Sequence, residues 1–225
     1  MYNSLIIPAG GTGKRFGSEL PKQFHILKNK PIIIRTIEAF CAITSIENIV
    51  IPSPKEHITT LNSIIKEYNI TKKIKIIEGG KERQDSVLNA LGTEEIAGSD
   101  LVLIHDAVRP LVSKILIEKL IKITEVSGGA VPALVPRETI RKINKDGSYN
   151  TLQRNTLRSI QTPQVFKTEL ITDAYVKANN AGFVSTDDAA VFEFANFDYL
   201  IVEGEEENIK ITTAKDLSAA EFFLK

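Results

Sequence analysis

Residues 100–135 read DLVLIHDAVRPLVSKILIEKLIKITEVSGGAVPALV. A compact apolar run, DLVLI, leads into a polar turn, then into SKILIEKLIKITEV with apolar residues near a 3.6 period, then into a second compact run, GAVPALV. Near-continuous hydrophobicity in the short runs fits strands buried on both faces, and the stretch between them is long enough for a crossover helix starting at Ser113. That pattern predicts parallel strands.

Outward from this stretch the pattern repeats. SLIIP, NIVIPS and KIKIIEG are further apolar, β-branched runs, and IIIRTIEAFCAI, PKEHITTLNSIIKEYN (starting at Pro54) and ERQDSVLNALGT carry helical periodicity between them. The alternation predicts an α/β fold, a doubly wound and mostly parallel Rossmann-like sheet, with ligands at the carboxyl ends of the strands. It breaks after Pro136, where RETIRKINKDGSYNTLQR alternates apolar and polar residues around Asp146–Gly147, a pairing that favours a hairpin turn. Such a hairpin, an arm over residues 137–158, is too polar for a core strand pair, so a second subunit is the expected support, with a surface hairpin packed on its own domain as the alternative. Further on, the reading places a helix around ELITDAYVKANN, strands in DYLIVEG and NIKIT, and a last helix in AKDLSAAEFFL, all within one domain over 1–225.

Composition narrows the function classes. The chain has 225 residues, 43% hydrophobic and 25% charged, with 28 basic against 28 acidic side chains. Zero formal charge argues against a general nucleic-acid or membrane-surface binder, so any cationic site must be local. No apolar run approaches the ~20 residues of a membrane span, and SLIIPA lacks a basic leader, which predicts a cytoplasmic protein. The single cysteine, Cys41, lies in an apolar helical run and reads as a packed core thiol.

Three loops could carry chemistry. PAGGTGKRFG, residues 8–17, follows the first strand and combines four glycines with Lys14 and Arg15; Lys22 lies close behind. Backbone N–H groups in such a loop make a concave anion-binding surface. The loop fits neither the Walker pattern, because Arg15 follows Lys14, nor the dinucleotide fingerprint, because Gly11, Gly13 and Gly17 are misspaced; a solvated basic turn is the simpler alternative. HDAVRP places Asp106 at a strand's carboxyl end, where it could hold magnesium or pair with Arg109, and His105 reads as a loop support. EGGKERQDSV, residues 78–87, puts Gly79 and Gly80 on the same rim, with Asp85 or Ser86 as the next helix start. Those glycines suit backbone approach to a planar base and equally suit a plain turn.

Taken in order, PAGGTGKRF with LPKQF, GGKERQDSV, HDAVRP, QTPQVF, STDDAA and ENIKIT resemble the methylerythritol phosphate cytidylyltransferase family, with the ribitol phosphate cytidylyltransferases as a near relative sharing the glycine loop, HDAVRP and QTPQ. The resemblance implies a nucleotidyltransferase core, a homodimer joined through the arm, CTP and methylerythritol phosphate as substrates, and Mg²⁺ or another divalent cation on Asp106. It assigns catalytic roles to Arg15, Lys22, Arg154 and Lys210. It places Pro8, Ala9, Gly10, Gly11, Thr12, Gly13, Lys14, Gly80, Lys81, Arg83 and Ser86 around CTP. Asp106, Ala107, Arg109, Thr139, Thr162 and Thr186 fall around the acceptor, with Thr139 and Arg154 crossing from a partner subunit. A nucleotide-binding relative without catalysis is the alternative of another class.

Overall fold

A computed structural model describes residues 2–11 and 20–224. Its main sheet is built on β1 (Asn3–Ile6), β4 (Ile46–Ser53), β5 (Lys73–Glu78) and β6 (Leu101–Ile104), all parallel, with β1 between β4 and β6. The near-continuous hydrophobicity of β1, β4 and β6 has a direct cause. Side chains alternate between faces, and both faces are covered: Leu5, Ile49, Ile51 and Leu103 enter one core, while Ile6, Val50, Val102 and Ile104 enter the other.

The first core is closed by α1 (Ile32–Cys41), α2 (Lys55–Glu67) and α5 (Lys114–Ser127) through Phe40, Leu61, Ile117 and Leu120. The second is closed by α3 (Arg83–Leu91), α6 (Thr168–Asn180) and α7 (Asp188–Phe194) through Val87, Ala90, Tyr175 and Phe192. Cys41 is half-buried beside the first core, where burial raises its thiol pKa. Short strands β2 (Ile26–Leu27) and β3 (Lys30–Pro31) form a small hairpin ahead of α1, and a one-turn helix α4 (Glu94–Ala97) follows α3.

The opening strand-helix-strand stretch turns out differently from the simplest reading. β7 (Gly129–Leu134) shares the direction of β6 but does not touch it, because β11 (Gln164–Lys167) runs antiparallel between them. β10 (Ser159–Ile160) continues along the same edge of β7 after a break at 161–163, which holds the cis Thr162–Pro163 bond, and β12 (Leu200–Glu203) pairs with the other edge. The fold is therefore a mostly parallel α/β sheet with one antiparallel insertion.

Two local expectations are corrected. NIKIT forms no strand: the Ile211 N–H donates to Val108 O and the Asn208 carbonyl accepts from Arg109, so this segment's polar groups tie it across the HDAVRP loop rather than along a sheet edge. Helix α3 starts at Arg83, not at Asp85 or Ser86, because Glu82 caps it in a reciprocal box with Asp85. STDDAA, given no element in the sequence reading, opens α7 with Asp187 as its cap.

The hairpin exists as β8 (Arg141–Ile143) paired with β9 (Tyr149–Thr151), every strand residue exposed. Its turn is a three-residue loop: Gly147 N–H donates to Asn144 O and Asn144 N–H to Ser148 O. Within it only Gly147 adopts positive φ, +82°, the position that favours glycine. The last helix is α8 (Ala214–Phe223). Among the described residues no helix is long and apolar enough to cross a membrane.

Candidate active site

The chain runs from β1 outward through β4 to β5, then returns to β6 on the other side of β1. Loops leaving β1 and β6 therefore diverge and open a crevice at the strands' carboxyl ends. A cleft of about 370 Å³ lies there. Of the residues expected in the site, Pro8, Ala9, Gly10, Gly11, Lys22, Gly80, Lys81, Arg83, Ser86, Asp106, Ala107 and Lys210 line it, together with Gln23, Glu82 and Val108. Thr12, Gly13, Lys14 and Arg15 lie outside the described residues.

Backbone pairing beyond the strand ends sets the rim. Ala9 N–H donates to Pro52 O at 2.9 Å, Gly79 N–H to Ser53 O at 2.9 Å, and the buried Gln23 amide to Ala9 O at 2.8 Å. At the tight turn before α3, a Cβ on Gly80 would stand 2.1 Å from the Asp85 Cβ, so no larger residue fits. Gly80 N–H is held by Ser86 Oγ at 3.0 Å, and Ser86 Oγ donates to Glu82 O. Turn packing is thus sufficient reason for Gly80.

Asp106 is the electrostatic centre. Its carboxylate meets Lys210 Nζ at 3.0 Å, Arg109 Nε at 3.2 Å and Arg83 Nε at 3.7 Å. Burial opposes its ionisation, but Arg83, Lys210 and Arg109 together hold it well below the ordinary carboxylate range. Arg83 presents only its Nε edge to Asp106, because Nη1 and Nη2 form a fork with the fully buried Asp188 at 2.8 and 2.7 Å. Tyr175 donates to the same carboxylate at 2.5 Å. Burial disfavours the Arg83 charge, and Asp188 more than offsets it, raising its pKa.

Beneath the cleft the hydrogen bonds fix one tautomer. The Arg109 carbonyl can only accept, so His105 Nε2 carries the proton and donates to it at 2.9 Å; Nδ1 then accepts from Thr162 Oγ1 at 3.0 Å, which itself accepts from Asp106 N–H at 3.1 Å. Complete burial pushes the imidazole pKa down to about 4, so it is neutral near pH 7. His105 supports the loop, as expected. Thr162 and Arg109 are also buried struts: Arg109 Nη1 donates to Asn208 O at 2.7 Å and Asn208 Nδ2 to Thr162 O at 2.8 Å.

Residues 4–225 match the family described as 2-C-methyl-D-erythritol 4-phosphate cytidylyltransferase, IspD. The chain belongs to this family. A curated relative of that name from Clostridium botulinum (strain Eklund 17B) is 44% identical over 222 residues, spanning 98% of this chain and 98% of the relative. The solved 4-diphosphocytidyl-2C-methyl-D-erythritol synthase of Anaerococcus prevotii superposes with a TM-score of 0.86 at 29% identity, covering 99% and 98% of the two chains. The Francisella tularensis cytidylyltransferase follows with a TM-score of 0.83 at 32% identity, covering 99% of each chain.

Thr139, Arg154 and Thr186 do not line the cleft; all three are exposed, the first two on the arm, and Arg154 Nη1 donates to Arg137 O at 2.6 Å. The sequence reading missed Gln23, Asn208, Tyr175 and Asp188. Gln23, Asn208 and Asp188 lie in quoted blocks, LPKQF, ENIKIT and STDDAA, whereas Tyr175 had no such signal; the partner of Asp188, Arg83, lies 105 residues earlier.

Proposed function

We infer that the chain transfers a cytidylyl group from CTP to 2-C-methyl-D-erythritol 4-phosphate in isoprenoid biosynthesis, releasing pyrophosphate. The observation that carries this reading, beside family membership, is a switch-point cleft lined by Lys22, Lys81, Arg83 and Lys210 around one ionised Asp106. An acceptor phosphate oxygen attacks the α-phosphorus of CTP, the bond from that phosphorus to the bridging oxygen breaks, and its electron pair leaves on pyrophosphate. No general base is needed, since the acceptor phosphate, with a second pKa of about 6, is mostly ionised near neutral pH. The work left to the protein is in-line positioning and neutralisation of developing charge. On this reading Arg15, Lys22 and Lys210 face the phosphates, and the rim at Pro8–Gly11 and Gly80–Ser86 holds the nucleotide.

Asp106 suits Mg²⁺. It is one ionised carboxylate at the cleft wall; Oδ2 pairs with Lys210 and Arg109, so Oδ1, 3.7 Å from Arg83 Nε, is the oxygen that would hold the ion, with substrate phosphates and water completing its shell. When bound, the ion would add positive charge against the phosphates.

The arm belongs to the same reading, in which two copies join and Thr139 and Arg154 of one meet the acceptor bound by the other. A groove of about 1050 Å³ supports it, running between the arm's base, β12 and the end of α8, with Val135, Ile201 and Phe223 partly exposed along it. A cytoplasmic location fits the single cysteine.

The test is pyrophosphate release with CTP across methylerythritol phosphate, ribitol phosphate and hexose phosphates. Release with the first is expected. Preference for ribitol phosphate would replace the acceptor, and CTP binding without release from any acceptor would favour a non-catalytic nucleotide binder.

A further inference from the structure

Helix α3 begins at the cleft, and its first two residues reach in different directions. Arg83 lines the cleft and grips Asp188. Gln84 does not line the cleft; its side chain reaches the segment between α6 and α7, about a hundred residues later in the chain. Nε2 donates to Phe183 O at 2.8 Å and Oε1 accepts from Ser185 N–H at 2.8 Å. A carbonyl and an N–H two residues apart are what an extended segment offers a neighbouring strand, and a primary amide answers with donor and acceptor side by side.

Segment 183–187 has no helix or strand of its own. Its ends are anchored separately: Phe183 stacks on Phe194 with centroids 4.3 Å apart and planes at 13°, and Asp187 caps α7 by accepting from Ala190 N–H at 3.2 Å. Between these anchors Thr186 is exposed, one residue beyond the N–H that Gln84 holds.

We propose that Gln84 is a positioning residue: its amide fixes the backbone of segment 183–187 to helix α3, so that the nucleotide side of the cleft and the loop presenting Thr186 to the acceptor move as one body. The inference rests on the cytidylyltransferase reading, in which Thr186, exposed and outside the lining of the nucleotide cleft, meets the acceptor. Gln84 itself lies outside the lining of the cleft. Its removal therefore acts on acceptor affinity and leaves the nucleotide site intact, whereas a purely structural role would lower thermal stability without separating the two substrates.

The experiment measures initial rates of pyrophosphate release by the full chain with CTP and methylerythritol phosphate varied in turn, beside calorimetric CTP binding and the thermal midpoint. Q84A, which loses both hydrogen bonds, is expected to raise the acceptor KM about tenfold with CTP affinity within about twofold of wild type. Q84E keeps the chain length and the acceptor for Ser185 N–H but loses the donor, and is expected to fall between wild type and Q84A. It also decides the question if Q84A does not fold. Acceptor KM unchanged in the folded variants, or acceptor and CTP constants rising together, would overturn the positioning role while wild-type turnover keeps the parent reading. A wild-type chain that releases no pyrophosphate overturns both.

Discussion

The cleft wall and the arm solve opposite problems with similar residues. At the wall, Asp106, Arg83, Asp188 and Tyr175 are largely or wholly buried, and each charged group finds its counter-charge within the chain. In the arm, strands 141–143 and 149–151 are exposed, and around them contacts stay local: Ser148 to Asp146, Asn144 to Ser148, and Arg141 over the Tyr149 ring at 5.8 Å; at the arm's base the exposed Arg137 pairs with Glu206. Burial makes the wall's ion pairs costly to break, whereas water screens the arm's contacts and leaves them contributing little. Folding of one chain therefore specifies the wall, whereas Thr139 and Arg154, proposed to meet the acceptor, are held out in solvent.

The contrast can be broken most forcefully at Asp188. Replacing it by Asn leaves the Arg83 guanidinium without its main counter-charge, and a loss of roughly 3–5 kcal/mol in urea unfolding is expected; a loss under 1 kcal/mol would put the wall in the same class as the arm. Next in size is the pH response of His105. The imidazole is neutral in the fold, with a pKa of about 4, while the unfolded chain takes up a proton near 6.5, so the unfolded state binds more protons between those values. Its contribution is intact above about pH 6.5 and falls by ~3 kcal/mol as the pH drops to about 4. Urea midpoints across that window should flatten in His105→Gln, whose amide can still donate to Arg109 O. Asp106, with a depressed pKa, stays ionised through the same window, and its own contribution is lost only below the unfolded carboxylate value of about 3.9.

A smaller effect is expected at Gly80→Ala, where the new Cβ must push Asp85 aside and disturb the capping box; about 1–3 kcal/mol should be lost, with weaker CTP binding by calorimetry. The smallest change in folding belongs to Arg154→Ala, within about 0.5 kcal/mol. Its acceptor KM should nonetheless rise while CTP binding holds. Mixing it with Lys22→Ala should restore some turnover, because one site of a mixed dimer combines an intact cleft with an intact arm. Mixed dimers without restored turnover would place Arg154 in its own subunit's site.

The same contrast explains what was legible beforehand. The wall loops follow apolar strands, so their position at the carboxyl ends could be read from local periodicity, and PAGG, GGKER, HDAV and Lys210 do converge on one cleft. NIKIT was misread because an apolar alternation looks like a strand whether or not a sheet edge is available, and here its polar groups are taken by the HDAVRP loop. The antiparallel β11 escaped because QVFK is short and nothing in its sequence reports direction.

By itself the sequence determined the alternation of buried strands and crossover helices, the rim that lines the cleft, and a hairpin turn that places glycine at positive φ, since periodicity and turn chemistry act over a few neighbouring residues. Only the tertiary structure decided that β11 separates β6 from β7, that Asp188 takes up Arg83's fork and leaves its Nε edge to Asp106, and that Gln84 holds segment 183–187. Those depend on residues tens to about a hundred positions apart meeting in a water-poor interior, where each polar group must find its partner and the chain order between them carries no signal of which it will be.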